Sequence, residues 1–411
     1  MVGRRRFWLG LLLVVQLLVV AVGWCPQALA FSSDQKLILE AWRIVDRAYV
    51  DDRFNGQNWW RVRQQVLKQP IGDRQAAYDA IDGMLEKLED PFTRLLTPDR
   101  YRTLQVSTSG ELTGVGLQIA EDEDGVLKVL APIAGTPAEA AGIQPGDRVL
   151  EIDGVATASL SLDDAAMRMR GEIGTRVVLK LERSLDGTVE NIELVRDRIA
   201  INPVFAEARS PEGGLKIGYI RLSQFNGNAA AEMASAIENL EAEETQAYIL
   251  DLRNNPGGLL QAGIEISRLW LDEGTIVYTV NRQSILESFE STHTALTTDP
   301  MVVLVNEGTA SASEILAGAL KDNDRAVIVG RQTFGKGSIQ SLFDLSDDSG
   351  LAVTVAKYQT PDRIDINKRG IAPDIAIDPV PLSRDRLATK DDPAYQTAVQ
   401  LLSEKTAIAS K

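Results

Sequence analysis

The sequence of 411 residues predicts an α+β protein with several domains. Apolar residues at helical spacing dominate residues 34–109, short strands with glycine turns fill 111–199, and strands alternate with helices from residue 217 onward. At 44% hydrophobic residues, the chain can bury a full core and is long enough for two or three domains. We expect a leader at 1–30, a helical domain at 31–110, a β-rich domain at 111–199, an α/β core at 200–385 and a C-terminal segment at 386–411.

The leader has the pattern of a bacterial-type signal peptide. Three arginines at 4–6 precede an apolar run over 7–22, and small residues at 28–30 form a cleavage site. We expect the mature chain to begin near Phe31, outside the cytoplasm. A twin-arginine signal and an uncleaved anchor are the alternatives. The strongly apolar run favours the general export route, and it is short for a membrane span.

Composition excludes several kinds of site and partner. The one cysteine, Cys25, falls within the leader, so the mature chain should contain no disulfide, zinc–thiolate site or cysteine nucleophile. Removing the three leader arginines takes the net charge from −15 to −18. A chain this acidic is not expected to bind nucleic acid or anionic lipid through general electrostatics. We expect no metal and no cofactor.

The β-rich region contains an alternating Gly-hydrophobic-Gly-hydrophobic segment. This tetrapeptide, Gly114-Val115-Gly116-Leu117, is followed by a glycine-rich series over 142–154. Together they resemble a PDZ domain over nearly its whole length. The resemblance implies that Gly114, Val115, Gly116 and Leu117 bind the terminal carboxylate of a peptide, which adds a strand to the sheet. A plain glycine-rich hairpin is the alternative, and the 142–154 series disfavours it.

From residue 217 the pattern is that of a layered α/β core. Strands are predicted at 247–253, 301–305 and 326–329, with helices at 259–271 and 313–321. In such folds the chemistry takes place at strand ends. The residues that follow these strands are therefore the candidates for a functional site.

Ser311 and Lys336 follow the second and third of these strands. A serine hydroxyl needs a base to act as a nucleophile, and an amine can serve where no imidazole is at hand. The one histidine, His293, lies in a polar segment with no acid placed to orient it, so we expect it at the surface. Lys336 is the predicted base. Desolvation must lower its pKa, and the glycines on either side would let its backbone pack closely.

Two further features concern the backbone around Ser311. Ala312 N–H should be a free donor in the first turn of a helix, suited to a developing oxyanion. A second donor is expected from the turn at 255–258, although that segment alone could be an ordinary turn.

Residues 330–336 also match most of the sequence pattern of a phosphate-binding loop. Two features disfavour that alternative. Gly337 stands where a phosphate-binding loop has Ser or Thr, and the alternation of apolar residues after Gly337 predicts a strand where such a loop needs a helix.

The segments at 309–314, 334–337 and 255–258 together resemble the carboxyl-terminal processing, or tail-specific, proteases. The match covers almost the entire mature chain, in the order helical domain, PDZ domain and catalytic domain. It implies that Ser311 is the nucleophile and Lys336 the general base. It further implies an orienting Gln340 and an oxyanion hole of Gly257 and Ala312 N–H.

Two other residues match the family pattern. Asp322 aligns with a family acid that we interpret as structural, because a carboxylate touching Lys336 would raise the pKa of its amine. Arg170 matches an arginine that links the PDZ domain to the catalytic domain, which would be a regulatory role. A solvated arginine is the alternative.

The resemblance implies a serine endopeptidase that cleaves C-terminal extensions from exported or lumenal proteins. Residues 90–94 are most similar to the photosynthetic members, which trim the photosystem II reaction-centre precursor in the thylakoid lumen. A general periplasmic tail-specific protease and a non-cleaving PDZ scaffold are the alternatives, and intact Ser311, Lys336 and Gln340 disfavour the scaffold. Expected partners are protein substrates with free C-termini, with peripheral contact to a membrane-embedded substrate. The oligomeric state stays open.

Overall fold

The computed structural model describes residues 31–121, 125–211, 214–283, 286–378, 380 and 386–409. The leader predicted at residues 1–30 lies outside them. Within the described part of the chain, no helix is both long and apolar enough to cross a membrane.

The N-terminal region is helical, as the apolar spacing predicts. Local capping starts its helices: Ser32 and Gln35 form a reciprocal capping box, and the side chains of Asn58 and Asp73 accept from backbone N–H groups of the next two helices. A short strand, which the sequence did not predict, interrupts the helices. The elements are α1 (Ser33–Ala48), α2 (Trp59–Val66), α3 (Arg74–Leu85), a 3-10 turn (Glu86–Leu88), β1 (Arg94–Leu96) and α4 (Pro98–Ser109).

The second region is a small β-domain whose first and last strands pair with each other. Its elements are β2 (Glu111–Gly114), β3 (Leu117–Glu121), β4 (Leu127–Pro132), α5 (Pro137–Ala140), β5 (Arg148–Ile152), β6 (Val155–Ala156), a 3-10 turn (Thr157–Ser159), α6 (Leu162–Met169), β7 (Arg176–Glu182), β8 (Val189–Val195) and β9 (Asp197–Ala200). The sheet order is β3-β4-β5-β7-β8, with β6 on β5, and β2 pairs with β9. Strand β3 is therefore a sheet edge.

The remaining chain alternates strands and helices. Its elements are β10 (Val204–Arg209), β11 (Ile217–Leu222), α7 (Ala229–Ala242), β12 (Ala247–Asp251), α8 (Leu260–Trp270), β13 (Thr275–Asn281), β14 (Leu286–Glu290), β15 (Met301–Val305), α9 (Ala312–Asp322), β16 (Ala326–Gly330), β17 (Ser338–Asp344), β18 (Gly350–Gln359), β19 (Ile375–Ala376) and α10 (Pro393–Ala409).

The central sheet has the order β10-β11-β12-β15-β16-β19 and is parallel apart from β10. Alternate residues of its buried strands serve opposite faces. Leu250 and Val303 pack in one core with α7, α8 and α9, whereas Ile249 and Val302 pack in another with α10. Covering both faces explains why these strands are continuously apolar.

A second sheet joins the N-terminal helices to the core. β1 pairs with β18, which also pairs with β13 and β17. Leu345, Leu351 and Val353 lie in the same hydrophobic core as the helices α1 to α3. The N-terminal region is thus packed directly onto the strands that follow Lys336.

A buried charge cluster fastens α10 to the central sheet. The guanidinium of Arg253 binds Asp392 with two hydrogen bonds of 3.0 and 2.8 Å, and binds Asp251 as well. Both carboxylates are fully buried. The guanidinium is thus shared between two carboxylates, and loss of Asp392 would leave buried N–H donors of Arg253 without their acceptors.

We expect Asp392→Ala to lower the free energy of unfolding by about 2–3 kcal/mol, because it leaves the buried Arg253 guanidinium and Ala388 N–H without their carboxylate acceptor. Denaturant unfolding of the purified chain measures this. The matched control is Asp391→Ala, which breaks an exposed pair with Arg386 and should cost about 0–1 kcal/mol. Equal effects of the two substitutions would contradict the role assigned to the buried cluster.

Candidate active site

The candidate residues lie at one edge of the central sheet. The turn at 254–258 follows β12, Ser311 follows β15 and Lys336 follows β16. These three strands are neighbours and run parallel, so their carboxyl ends meet. The topology thereby brings together segments that are far apart in the sequence.

Ser311 has an uncommon backbone conformation directly before α9. Its φ of 59° and ψ of −119° lie in a sparsely populated region for a residue with a side chain. Tyr358 Oη donates to the Ser311 carbonyl at 3.2 Å, and Ser311 N–H donates to Glu314 Oε2 at 2.9 Å. Strain of this kind persists only when surrounding contacts hold it, and a sharp strand-to-helix turn exposes a serine hydroxyl.

Glu314 connects the serine segment to the lysine segment. Its carboxylate is fully buried and accepts from Thr333 Oγ1 at 2.5 Å, Gly335 N–H at 2.7 Å and Lys336 N–H at 2.9 Å. Ser311 N–H uses the same oxygen as Lys336 N–H. No role for Glu314 was predicted from the sequence. The available signal was the capping-box spacing of a serine and a glutamate three residues apart at a helix start.

Lys336 is half-buried between two closely packed glycines. A Cβ added at Gly335 would lie 2.8 Å from Arg369 N, and one at Gly337 would lie 2.8 Å from Asn367 N. This confirms that small flanking residues let the backbone pack closely. Burial lowers the pKa of Lys336, and the Arg94 guanidinium lowers it further, while Asp90 and Glu314 act in the opposite direction.

The Lys336 amine does not contact Ser311 through a hydrogen bond. Its Nζ lies 4.9 Å from the centroid of the Phe92 ring. Among the described residues, no hydrogen bond joins Nζ to Ser311 Oγ. The structure therefore holds the two segments together while the amine rests on an aromatic ring contributed by the N-terminal region.

The predicted orienting residue Gln340 has other partners. Its amide donates to Ser338 Oγ at 2.9 Å and to Thr354 Oγ1 at 3.3 Å.

Asp322, at the end of α9, accepts from Asp362 N–H at 3.1 Å, a contact that suits a structural residue. His293 is exposed, as expected. The expectation that no acid orients it is wrong. Asp272 Oδ2 lies 3.1 Å from its Nδ1 and raises its pKa.

The two predicted oxyanion donors differ in availability. Ala312 N–H has no acceptor among the described residues, as expected at the start of α9. Gly257 N–H donates to Asn255 Oδ1 at 2.9 Å. Gly257 approaches the serine closely, with φ +94°, and a Cβ there would lie 2.9 Å from Ser311 Cβ and 2.8 Å from Ala312 N. Only glycine fits this position.

The segment after Lys336 rules out the phosphate-binding loop. β17 begins at Ser338 and pairs with β18 as an antiparallel strand. A phosphate-binding loop must run into a helix, whose N-terminal N–H groups bind the anion. The alternation of residues after Gly337 predicted this strand correctly.

The small β-domain has a narrow groove of about 90 Å³ beside its edge strand β3. Gly114, Val115, Gly116 and Leu117 line one side, and Met169 and Arg170 at the end of α6 line the other. Gly116 has φ +81°, and a Cβ there would lie 2.3 Å from Thr136 Cβ. The groove thus places Arg170 beside the four residues predicted to bind a peptide carboxylate.

Arg196, which the sequence analysis overlooked, fixes the backbone that carries Arg170. Its buried guanidinium donates to the carbonyls of Arg168 at 2.7 Å and Met169 at 3.2 Å. These bonds satisfy carbonyl groups at the end of α6. The Arg170 side chain itself is exposed.

Comparisons with known proteins agree with this architecture. The model of peptidase family S41 matches residues 216–377, and that of the PDZ domain matches residues 128–183. A carboxyl-terminal-processing protease of Picosynechococcus sp. is 53% identical, with 99% of this chain and 98% of that protein covered. The chloroplastic carboxyl-terminal-processing peptidase 2 of Arabidopsis thaliana is 43% identical over 88% of this chain and 72% of its own.

Among solved structures, a photosystem II D1 C-terminal processing protease matches with a TM-score of 0.58 and 42% identity. The match covers 89% of this chain and 99% of that one. Identity at this level over nearly the full length, with a PDZ domain ahead of the matched catalytic region, shows that the chain belongs to the carboxyl-terminal-processing proteases of peptidase family S41, which are serine hydrolases.

Proposed function

We propose that Ser311 and Lys336 are the catalytic dyad of this C-terminal processing protease. The observation that carries the proposal is the shared acceptor: both residues donate their backbone N–H to Glu314 Oε2 at the ends of neighbouring strands. The lowered pKa of Lys336 supports a base, because only the neutral amine can accept a proton.

The dyad would work in two proton cycles. As Ser311 Oγ attacks the peptide carbonyl carbon, Lys336 Nζ takes its proton, and Gly257 and Ala312 N–H stabilise the oxyanion. The ammonium then protonates the leaving amine, which leaves an ester on Ser311. A water that gives its proton to Lys336 attacks this ester, and the released serine recovers the proton. Lys336 must first turn from Phe92 towards Ser311, where Gln340 would hold it.

The PDZ groove would select substrates by their free C-terminus. Strand β3 is at the sheet edge, so a peptide can pair with it while the Gly114–Leu117 segment binds its carboxylate. Arg170 would link the occupied groove to the catalytic domain, since a guanidinium holds two acceptors in fixed geometry. Its exposed position beside the groove supports a link that forms when the groove is occupied.

The proposed substrate is the D1 precursor of photosystem II, processed in the thylakoid lumen. Support comes from the 42% identical D1 C-terminal processing protease and from the cyanobacterial and chloroplastic relatives. The predicted leader supports export to the lumen or the periplasm. Contact with a membrane-embedded substrate would then be peripheral.

Incubating the mature chain with the D1 precursor, and mapping products by mass spectrometry, should show a cut near the precursor's C-terminus. Ser311→Ala, Lys336→Ala and the double variant should each lose about three orders of magnitude or more in rate, and by similar factors, because neither residue works alone. Lys357→Ala, an exposed lysine on β18, is the matched control. A Lys336→Ala enzyme that kept much of its rate would place the base elsewhere. Cleavage of unrelated exported proteins, with D1 precursor left intact, would favour a general tail-specific protease.

The rate should rise with pH as Lys336 loses its proton, with the rising limb below the ordinary lysine pKa of about 10.4. Arg94 lowers the pKa of this amine, so Arg94→Gln should move the limb to higher pH. Arg100→Gln, an exposed neighbour, is the control and should leave it in place. A limb that moves to lower pH in Arg94→Gln would refute the electrostatic assignment.

Binding of a peptide tail should require its free carboxylate. Calorimetry on full-length Ser311→Ala should show weaker binding for a C-terminally amidated peptide than for the acid, because amidation removes the charge that Gly114–Leu117 would bind. Equal affinities would refute carboxylate recognition. Arg170→Ala should lower turnover while it keeps its affinity for the peptide acid in the same assay. Unaltered turnover would defeat the coupling role, and a loss of affinity would place Arg170 in the peptide groove instead.

A further inference from the structure

The loop at residues 90–94 reaches the catalytic lysine from the N-terminal region of the chain. Lys336 Nζ lies 4.9 Å from the Phe92 ring centroid, within the range of a cation–π contact. Within the described residues Nζ has no hydrogen-bond acceptor, so the ring face is its direct partner. The half-buried Phe92 side chain thus lies beside the proposed base but takes no part in the proposed proton transfers.

The loop is tied to the catalytic domain at both ends of Phe92. The Asp90 carboxylate accepts from Phe92 N–H at 3.0 Å, Thr93 Oγ1 at 2.7 Å and Thr354 Oγ1 at 2.6 Å. Thr354 N–H in turn donates to Thr93 Oγ1 at 3.0 Å. Since Thr354 lies on β18, these bonds fix the loop that presents the ring relative to the strands following Lys336.

The ring distinguishes the two protonation states of the amine. A cation over an aromatic face is attracted by the ring quadrupole, whereas a neutral amine is not. The charged groups facing the amine oppose one another: Arg94 disfavours the ammonium, while Asp90 and Glu314 favour it. Burial favours the neutral form. Phe92 therefore adds a contact that only the inactive, protonated lysine can make.

We propose that Phe92 is a positioning residue that holds protonated Lys336 in a resting place away from Ser311 and frees it when the amine becomes neutral. The proposal rests on Lys336 being the base. It gives the N-terminal region a direct part in activity: the ring that holds the amine comes from this region, and the nucleophile comes from the core.

Phe92→Leu tests this, because leucine retains an apolar cover over the amine and removes the ring face. The rising limb of the pH–rate profile, measured on the full chain, should move to lower pH by roughly half a unit to one unit. Phe92→Tyr keeps the ring and should leave the limb in place. A rising limb that stays fixed or moves to higher pH in Phe92→Leu overturns the proposal. That result is expected if the Phe92 ring only shields the amine from water and does not attract the ammonium.

Two further measurements keep the test decisive. If Phe92→Leu lacks a cooperative thermal transition, Phe92→Trp replaces it: the stronger ring face should move the limb to higher pH, and an unmoved limb overturns the proposal. Separately, competitive acylation of Lys336 followed by peptide mass spectrometry reads the amine's titration in the Ser311→Ala background without any turnover. A shift there in Phe92→Leu beside an unshifted rate profile would trace the failure to the proposed function, because the ring would then contact an amine that is not the base. An unshifted titration would overturn the ring contact itself.

Discussion

The candidate site depends on the hydrogen bonds made to the buried carboxylate of Glu314. A carboxylate without hydrogen bonds would be costly in this interior, and here four donors from Ser311, Thr333, Gly335 and Lys336 compensate it. Because three of the four are backbone N–H groups, their positions are set by the main chain itself. The same bonds that solvate one buried charge internally also hold the strained serine turn against the lysine segment.

The proposed role of Lys336 as a base imposes an electrostatic constraint on its surroundings. Its environment must disfavour the ammonium, which burial and Arg94 do, yet the loops that hold it in place rely on carboxylates at Asp90 and Glu314. Both carboxylates accept hydrogen bonds from other donors. Asp90 accepts from its own loop and from Thr354, and Glu314 accepts from the four groups around it. Neither forms a hydrogen bond with Nζ, so the amine keeps a lowered pKa beside two acidic residues.

Three regions of the chain contribute to the candidate site and its surroundings. The N-terminal region supplies the Asp90–Arg94 loop through the pairing of β1 with β18, and the core supplies Ser311, Lys336 and the glycine turn. The PDZ domain is joined through the β2–β9 ribbon, and β3 and α6 line the groove proposed to bind a peptide. The Lys336 amine lies against Phe92 and Gly257 N–H donates to Asn255 Oδ1, so the proposed catalytic arrangement requires local rotations of these groups.

The sequence by itself determined the features that are local in the chain. Apolar spacing predicted the helices and the strand at 301–305, alternation predicted the strand after Gly337, and the glycine pattern predicted the PDZ groove, because periodicity and turn geometry act over a few residues. Only the tertiary structure decided which distant residues meet. Glu314 as a common acceptor, Phe92 beside Lys336, the strand β1 and the actual partners of Gln340 all depend on strand pairing between remote segments. No local pattern encodes that pairing, since its free energy comes from contacts that exist only once the sheets have formed.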